Sequence, residues 1–436
     1  MVLTEEMSHA FNLIENTNTH LYITGKAGTG KTTFLHYLVK NSKKKLIVSA
    51  STGIAAVNAG GVTLHSLFNI PLGVQNPNET MRGKFNTNKI ELLQSLEMLI
   101  IDEISMVRPD TIDYIDKKLR LYRMIDQPFG GVQVVMFGDL YQLPPVAKKE
   151  EKDILLLFYR GVYFFYAHIW RRCSFRVVEL TNVFRQTNQR FVEILNNIRS
   201  YKMTNRDIEE LDTLRDRRES KNYNNQHIHI CVYRNDVNKI NEAMLGEPTH
   251  RFKAVINGDF PITSAPCIDN LALKVGARVM TLVNDNHTNL YCNGSMGIVT
   301  SINQGSISVM LDNGIEVEIL PYEWVAHEYE LQNEKIVAKD KGTCTQYPLA
   351  LAWAITVHKS QGLTFDKITI HTRNVFCPGQ LYVALSRCTS MEGIISESFI
   401  DKKCIIPDKE LIAFDKACQK ANGIFNKDTY HSMALR

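Results

Sequence analysis

Gly25-Lys26-Ala27-Gly28-Thr29-Gly30-Lys31-Thr32 is the stretch that decides the fold of this chain. It has the spacing of a phosphate-binding loop, in which glycines let backbone N–H groups face a β-phosphate just before a helix begins. The flanking residues fit, because 21–23 predict a strand and 32–40 predict a helix. The predicted nucleotide-binding residues are Gly28, Thr29, Gly30, Lys31, Thr32 and Thr33, with Lys31 on the β- and γ-phosphate oxygens and Thr32 on Mg²⁺.

An apolar run that ends in two acidic residues, Leu99-Ile100-Ile101-Asp102-Glu103, supplies the second part of such a site. Asp102 is predicted to hold Mg²⁺ together with Thr32, as the acidic strand end does in phosphate-loop enzymes. Glu103 is predicted to orient and deprotonate an attacking water. This second carboxylate favours hydrolysis over transfer of the phosphate to another substrate.

The segments around these motifs alternate between strands and helices. Residues 46–50, 99–101, 132–137 and 176–180 predict apolar strands, which is typical of a parallel sheet covered on both faces. The second half repeats the theme, with strands at 227–233 and 365–372 and helices at 236–245 and 380–387. Short strands at 297–302, 306–311 and 315–320, separated by Asn- and Gly-containing turns, predict a small antiparallel barrel inserted in this half.

Composition excludes several classes of protein. The 436 residues suggest roughly three folding units at about 150 residues each. No apolar stretch approaches the roughly 20 residues of a membrane-spanning helix. The nine cysteines contain no C-x-x-C pair, and no secretory signal is recognised, so we expect reduced thiols, no structural zinc, and a cytoplasmic or nucleoid location. The net charge of +4 permits a polyanionic partner without identifying one.

Longer motifs resemble those of superfamily-one helicases, namely residues 102–106 and 138–146. The segment 128–133, preceded by Leu119-Arg120 and Arg123, resembles the signature of the Pif-type (petite integration frequency) DNA helicases. The remaining family motifs follow in order: Ser51-Thr52-Gly53-Ile54-Ala55-Ala56, Thr63-Leu64-His65-Ser66-Leu67-Phe68, Val183-Phe184-Arg185-Gln186, His358-Lys359-Ser360-Gln361-Gly362 and Tyr382-Val383-Ala384-Leu385-Ser386-Arg387. The resemblance covers nearly the whole chain.

This resemblance implies an α/β fold made of two RecA-like phosphate-loop NTPase domains with parallel sheets. The first domain is expected at residues 1–178, with a small wedge-type insert at about 69–95. The second is expected at 179–285 and 346–436, interrupted by an SH3-like β-barrel at 286–345. In this arrangement the two domains face each other across the nucleotide.

The resemblance also implies roles around the nucleotide. Gln142 is the expected γ-phosphate sensor, and Arg185 and Arg387 are expected to offset the charge that develops on the transferred phosphate. Gln361 and Gly362 are expected to contact the nucleotide, with Lys31 and Glu103 as further catalytic residues. Family members often carry a glutamine that reads adenine where this chain has Met7, so adenine recognition is expected to rest on backbone groups or to be loose. Met7 is alternatively a core residue.

Single-stranded DNA is expected to contact both domains through its backbone and a few stacked bases. By resemblance the first-domain contacts are Thr52, Thr63, His65 and Phe68, and the second-domain contacts are Thr356, His358 and Lys359, with Arg234 and Asn235 beside them. Two alternatives stay open. Phe68 is equally compatible with a core position, and His65 with a hydrogen bond to a neighbouring loop.

The function implied is an ATP- and Mg²⁺-dependent helicase that moves 5′ to 3′ on single-stranded DNA and unwinds tailed duplex. G-quadruplex and RNA–DNA hybrid unwinding are further expectations, and the chain is expected to act as a monomer away from membranes. Two other classes remain open. One is a phosphate-loop switch or nucleotide kinase that is not coupled to DNA, and the other is a DNA-binding module with a vestigial nucleotide pocket.

Overall fold

The computed structural model describes residues 3–433 except 53–54, 57–58, 72, 80–86, 185–187, 217–226, 259, 261–267, 284, 286–289, 292 and 333–334. For residues 87–88, 216, 326–332 and 335–341 it describes the backbone alone. The chain divides into two compact units, one formed by 1–223 with 361–436 and the other by 224–360. Within the described ranges, no helix combines the length and the apolar character that crossing a membrane requires.

The N-terminal part of the first unit alternates strands with helices. Its strands are β1 (His20–Gly25), β2 (Leu46–Ala50), β3 (Val62–Thr63), β4 (Met98–Asp102), β5 (Gln133–Phe137) and β6 (Phe175–Leu180). Its helices are α1 (Glu5–Asn16), α2 (Lys31–Asn41), α3 (Leu64–Phe68), α4 (Thr87–Ser95), α5 (Pro109–Arg123), α6 (Lys149–Phe158), α7 (Gln189–Arg199) and α8 (Asn205–Asp216). The predicted strands and the helix after the phosphate loop are confirmed to within two residues at each end.

The second unit consists mostly of strands. They are β7 (Ile228–Cys231), β8 (His250–Lys253), β9 (Val255–Gly258), β10 (Asn270–Leu273), β11 (Arg278–Thr281), β12 (Met296–Asn303), β13 (Ser306–Leu311), β14 (Glu316–Ile319), β15 (Tyr322–Gln332), β16 (Lys335–Gln346), β17 (Leu349–Leu351) and β18 (Ala354–Thr356). Its helices are α9 (Arg234–Leu245) and α10 (Val357–Ser360). The chain then returns to the first unit with β19 (Ile368–His371), α11 (Gln380–Ser386), β20 (Ile394–Ser396), α12 (Lys409–Lys420), β21 (Ile424–Phe425) and α13 (Lys427–Ser432).

The first unit contains a seven-stranded sheet with the order β21-β6-β1-β5-β4-β2-β3, and every pair in it is parallel except β21 with β6. Its central strands β4 and β5 are buried along their whole length, as expected for a sheet covered on both faces. Leu35 of α2 and Ile14 of α1 pack on one face, and Trp170 and Phe164 pack on the other. The predicted parallel α/β sheet is confirmed.

The C-terminal segment differs from its predicted place. The sequence assigns residues 346–436 to the second domain, but β21 pairs with β6 beside Phe175 in the first sheet. Phe414 of α12 stacks on Phe165 with ring centroids 4.4 Å apart, and Phe425 packs on Phe175 at 4.9 Å. These rings bury apolar area that the edge strand β6 would otherwise expose, so segment 409–433 completes the core of the first unit.

The Pif-type signature segment has a structural role next to this sheet. Phe129 adopts φ 52°, and its N–H donates to Asp116 Oδ1 at 2.7 Å. A Cβ on Gly130 would lie 2.8 Å from the Leu119 carbonyl oxygen, so this position accepts only glycine. Arg123 then donates to the Gly130 carbonyl at 2.7 Å. The segment therefore locks the end of α5 to the turn that leads into β5.

Antiparallel sheets dominate the second unit. The five-stranded sheet β14-β13-β12-β11-β17 contains the three predicted strands. It extends past both predicted limits of the insert, 286 and 345, because β11 and β17 flank it. The long hairpin β15-β16, which the sequence did not predict, pairs with β9 instead. The predicted strand at 227–233 is confirmed as β7, which pairs with β18 in parallel.

Candidate nucleotide site

The phosphate loop has its predicted context, because β1 ends at Gly25 and α2 begins at Lys31. Gly30 caps the helix at φ 79°, a left-handed conformation that favours glycine. The Lys31 ammonium donates to the carbonyls of Gly25 at 2.8 Å and Lys26 at 2.9 Å, which holds it inside the curl of the loop. Burial lowers the pKa of Lys31, while the carboxylates of Asp139 and Glu103 act in the opposite direction.

The loop forms one wall of a cleft of about 250 Å³. This cleft brings together most of the predicted nucleotide residues: Gly28, Thr29, Gly30, Lys31, Thr32, Thr33, Glu103, Gln142, Gly362 and Arg387. Thr29 is buried and its hydroxyl donates to the Lys26 carbonyl at 2.9 Å, so its side chain shapes the loop rather than facing the cleft. The predicted Arg185 lies outside the described residues.

Asp102 and Glu103 stand at the carboxyl end of β4. The Glu103 N–H donates to Asp102 Oδ1 at 2.9 Å, and Glu103 itself adopts φ 50°, which is rare outside glycine. Burial raises the pKa of Asp102 to about 7, and the negative charge of Glu103 adds to this shift. A bound cation would reverse it.

The donor set fits Mg²⁺, which prefers a few oxygen ligands from the protein and takes the rest from phosphates and water. Thr32 offers a hydroxyl in the cleft and Asp102 a buried carboxylate at the strand end. Across the described part of the chain no three His, Cys, Asp or Glu side chains group as a metal site, and no cysteine there forms a disulfide. The residues present therefore suit a magnesium ion bound together with a nucleotide.

Gln361 joins the two candidate catalytic side chains. Its Nε2 donates to Glu103 Oε2 at 2.9 Å and to Gln142 Oε1 at 3.3 Å. Its Oε1 is buried and has no hydrogen-bond partner among the described residues. A buried acceptor of this kind normally meets a water or a ligand. The sequence predicts Gln361 only as a nucleotide contact, and its bridge between Glu103 and Gln142 depends on a tertiary contact that no local pattern encodes.

Arg387 lines the cleft at the end of α11, but the rest of the protein surrounds its side chain, which is 2% exposed. Its Nε donates to the Val383 carbonyl at 3.0 Å and its Nη2 to the Ser386 hydroxyl at 2.9 Å. The Leu363 carbonyl accepts from Nη1 at 3.3 Å. These bonds fix the guanidinium plane at the edge of the cleft.

Two hydrophobic side chains border the loop. Met7 is buried in the core beneath it, and a Cβ on Gly30 would lie 3.3 Å from Met7 Cε. The core alternative for Met7 is therefore the one observed. Phe184, for which no individual role is predicted, is 60% exposed at the cleft, and its N–H donates to the Gly28 carbonyl at 2.7 Å. Its place directly before the motif arginine Arg185 is the one local signal that could have found it.

The predicted DNA contacts of the first unit differ in exposure. The hydroxyl of Thr63 caps α3 by accepting from the Ser66 N–H at 3.2 Å. Thr52 accepts similarly from the Ala55 N–H at 3.3 Å. His65 is exposed on α3. Phe68 requires a correction, since it is 0% exposed and packs in the main core, so its ring offers no surface on which a base could stack.

In the second unit the predicted contacts lie on α10 and at its start. The Thr356 hydroxyl accepts from the Lys359 N–H at 3.3 Å. Lys359 is exposed and His358 half-buried. Burial lowers the pKa of both, and the positive charge of Arg234 contributes to each shift. Arg234, His358 and Lys359 therefore form one group of nitrogen donors, called here the basic cluster.

The sequence matches two family models and is similar to a named helicase. Residues 2–209 match the family model described as PIF1-like helicase, and 271–395 match one described as the viral superfamily 1 RNA helicase core domain. The chain is 32% identical over 399 residues to the ATP-dependent DNA helicase Pif1 of Campylobacter jejuni, covering 85% of this chain and 87% of that protein.

Two solved structures are similar to this chain over nearly its whole length. A crystal structure of Bacteroides Pif1 bound to single-stranded DNA is 53% identical with a TM-score of 0.92, over 98% of this chain and 99% of that one. The Bacteroides Pif1 structure in complex with ADP-AlF3 and single-stranded DNA shows the same identity, coverage and TM-score.

Proposed function

The chain belongs to the PIF1-like helicase family of ATP-dependent DNA helicases, and from that premise we propose that it couples ATP hydrolysis to 5′-to-3′ movement along single-stranded DNA. The observation that carries the hydrolytic part is the Gln361 amide, which holds Glu103 and Gln142 together at the phosphate loop. A nucleotide in the cleft would meet the loop, the candidate base and the candidate sensor at once.

The residues of the cleft divide the chemistry among them. The amides of the phosphate loop and Lys31 bind the β- and γ-phosphates. Glu103 accepts a proton from the attacking water, and Gln361 orients the Glu103 carboxylate. Gln142 contacts the γ-phosphate, and Arg387 offsets the charge that develops there. Mg²⁺ held by Thr32 and Asp102 would add Lewis-acid stabilisation of the same phosphates.

Base recognition rests on packing rather than on a side-chain amide. Met7 is buried beneath the loop and presents no hydrogen-bond donor. Phe184 offers an exposed ring at the same cleft, on which either purine could stack. We therefore expect modest discrimination between ATP and GTP.

The DNA contacts form two sets, one for each unit. In the first unit they are Thr52, Thr63 and His65, and in the second the basic cluster. The proposal further includes an SH3-like barrel at 286–345 and a wedge-type insert at about 69–95. We keep these as proposals, together with a monomeric helicase and with activity on G-quadruplex and RNA–DNA hybrid.

The first test is turnover with and without DNA. Adding oligothymidine is expected to raise the ATPase rate at least about tenfold, because an enzyme that moves on a strand has to couple each hydrolysis to a step. A duplex with a 5′ single-stranded tail should be unwound, whereas one with a 3′ tail should stay intact. Turnover that ignores the oligonucleotide would instead indicate a switch or a kinase, and unwinding from the 3′ tail would reverse the proposed polarity.

The second test separates the two kinds of DNA contact. Burial and the charge of Arg108 lower the pKa of His65, so its ring is neutral at pH 7.5. The exposed side chain of Lys359 ends in an ammonium group, the kind of group that neutralises a phosphate. For single strands log K changes with log salt by about 0.7 per phosphate neutralised. Lys359→Ala should therefore reduce the salt slope of DNA binding by about 0.7, and His65→Ala should weaken affinity without changing the slope.

Fluorescence anisotropy of labelled oligothymidine between 50 and 300 mM salt measures both effects. Lys420→Ala is the matched control, because it removes one exposed charge at the far end of α12. Equal slopes for Lys359→Ala and Lys420→Ala would remove Lys359 from the DNA contacts.

A further inference from the structure

A buried tyrosine of α11 connects to the phosphate loop. The Ala27 N–H donates to the Tyr382 hydroxyl oxygen at 2.7 Å, and that hydroxyl lies 3.1 Å from Asp139 Oδ2, to which it donates. Asp139 is completely buried, and Arg199 of α7 donates to its Oδ1 from Nη2 at 3.1 Å and from Nε at 3.2 Å. The hydroxyl therefore accepts a bond from the loop and donates one to a paired carboxylate.

Burial and the neighbouring charges keep the Tyr382 hydroxyl protonated. Burial raises the pKa of Tyr382, as does the negative charge of Asp139, while Arg199 acts in the opposite direction. The phenol therefore keeps its proton throughout the range in which the enzyme can be assayed. Because the proton is directed to Asp139, only the oxygen lone pairs face Ala27, and they match its N–H donor.

A second contact fixes the start of the same helix. Gly379 caps α11 at φ 79°, and a Cβ there would lie 2.2 Å from the Gln142 carbonyl oxygen. The backbone of α11 thus packs directly on the candidate sensor, and Tyr382 lies one turn further along. The helix ends at Ser386, next to Arg387. Two contacts, one to Gln142 and one to the loop, therefore precede Arg387 on a single short helix.

We propose that Tyr382 is a positioning residue, whose hydroxyl holds α11 against the phosphate loop so that Arg387 acts on the nucleotide during hydrolysis. This inference rests on the proposed ATPase site and adds to it a residue that touches the loop backbone and need not contact the nucleotide. Without the hydroxyl, Ala27 and Asp139 each lose one buried hydrogen bond, and nothing ties α11 to the loop at this point. The expected loss is in catalysis rather than in nucleotide binding.

A double-mutant cycle on the 436-residue chain tests this. Tyr382→Phe removes the hydroxyl and keeps the ring, Arg387→Ala removes the guanidinium, and the double variant combines them. Tyr163→Phe is the matched control, because Tyr163 and Tyr382 are each 2% exposed. The Tyr163 hydroxyl also donates to a carboxylate, that of Asp408, over 2.6 Å, and neither residue lines the cleft. The readouts are kcat and KM for ATP with saturating oligothymidine, ADP affinity by calorimetry, and melting temperature.

Tyr382→Phe is expected to lower kcat about tenfold, in line with the loss of hydrogen bonds that include a charged partner. ADP affinity should stay within about twofold, because the substitution leaves all the backbone N–H groups of the loop in place to bind the β-phosphate. In the double variant kcat should equal that of Arg387→Ala, because the hydroxyl acts through the arginine. Tyr163→Phe should keep full kcat.

Three results would overturn the inference: a multiplicative loss in the double variant, a loss of ADP affinity that matches the loss of kcat, or unfolding of Tyr382→Phe where Tyr163→Phe stays folded. Each would assign the hydroxyl to general stability or to ground-state binding instead. Failure of the underlying site is recognised separately, since Arg387→Ala would then hydrolyse ATP at the normal rate.

Discussion

Lys31→Ala is expected to abolish measurable ATP turnover, with a loss of at least about 10³-fold. The Lys31 ammonium lies inside the loop and donates to the carbonyls of Gly25 and Lys26, so it is already held within the loop that would bind the β- and γ-phosphates. Its removal deletes a preorganised positive charge at the point where negative charge develops. Phosphate release measured with saturating oligothymidine gives the rate.

The same variant should bind oligothymidine normally, because Thr52, Thr63, His65 and the basic cluster do not involve the loop lysine. Lys40→Ala is the control on the same helix, since Lys40 is exposed in the last turn of α2 and its loss leaves the loop unchanged. Residual turnover above a few per cent in Lys31→Ala, or a loss of DNA binding that follows the loss of turnover, would contradict the assignment.

The parts of the site that the sequence predicts well are those with local signals. The loop at 25–32 and the acidic end of β4 each combine a fixed spacing with a strand boundary, and both appear where they are expected. A local pattern is enough to predict these parts because phosphate binding requires particular residue types within a few consecutive positions.

What the sequence does not predict depends on long-range packing. Phe68 shares with Leu64 and Leu67 the i, i+3, i+4 spacing of a buried helix face, but α3 has only five residues, too few for this spacing to decide between a core ring and an exposed one. Segment 409–433 joins the first sheet through Phe414 and Phe425. It does so because β6 would otherwise be an uncovered edge strand, which the local sequence of 409–433 does not show. The sequence does not predict the hairpin β15-β16, because the residues between its strands include no glycine, which is the usual mark of such a turn in a sequence.

The links between motifs follow the same rule. Gln361, Tyr382 and Asp139 each fall within a segment that resembles a family motif, yet their hydrogen bonds run between motifs more than 200 residues apart. The motifs in the sequence therefore identify the residues of this site, whereas only the fold shows which of these residues are hydrogen-bonded to each other.

Glu103→Gln is expected to lower the DNA-stimulated ATPase rate by roughly 10² to 10⁴-fold while the protein still binds ATP, because a glutamine cannot accept the proton of the attacking water. The substitution keeps the shape of the site. The new amide can turn its oxygen toward Gln361 Nε2, which now bonds Glu103 Oε2 at 2.9 Å, so the bridge to Gln142 should survive. The loss is then chemical rather than structural.

Nucleotide affinity should stay constant or increase in this variant. The charge of Glu103 contributes to the raised pKa of Asp102, so its removal lowers that pKa and leaves more of Asp102 ionised at neutral pH, ready to hold Mg²⁺. Calorimetry with a non-hydrolysable ATP analogue and Mg²⁺ measures this, with the exposed Glu150→Gln on α6 as the charge-matched control. If Glu103→Gln turned over ATP at the normal rate, another group would have to be the base. If it lost both turnover and affinity, Glu103 would be holding the site together through Gln361 rather than accepting the proton.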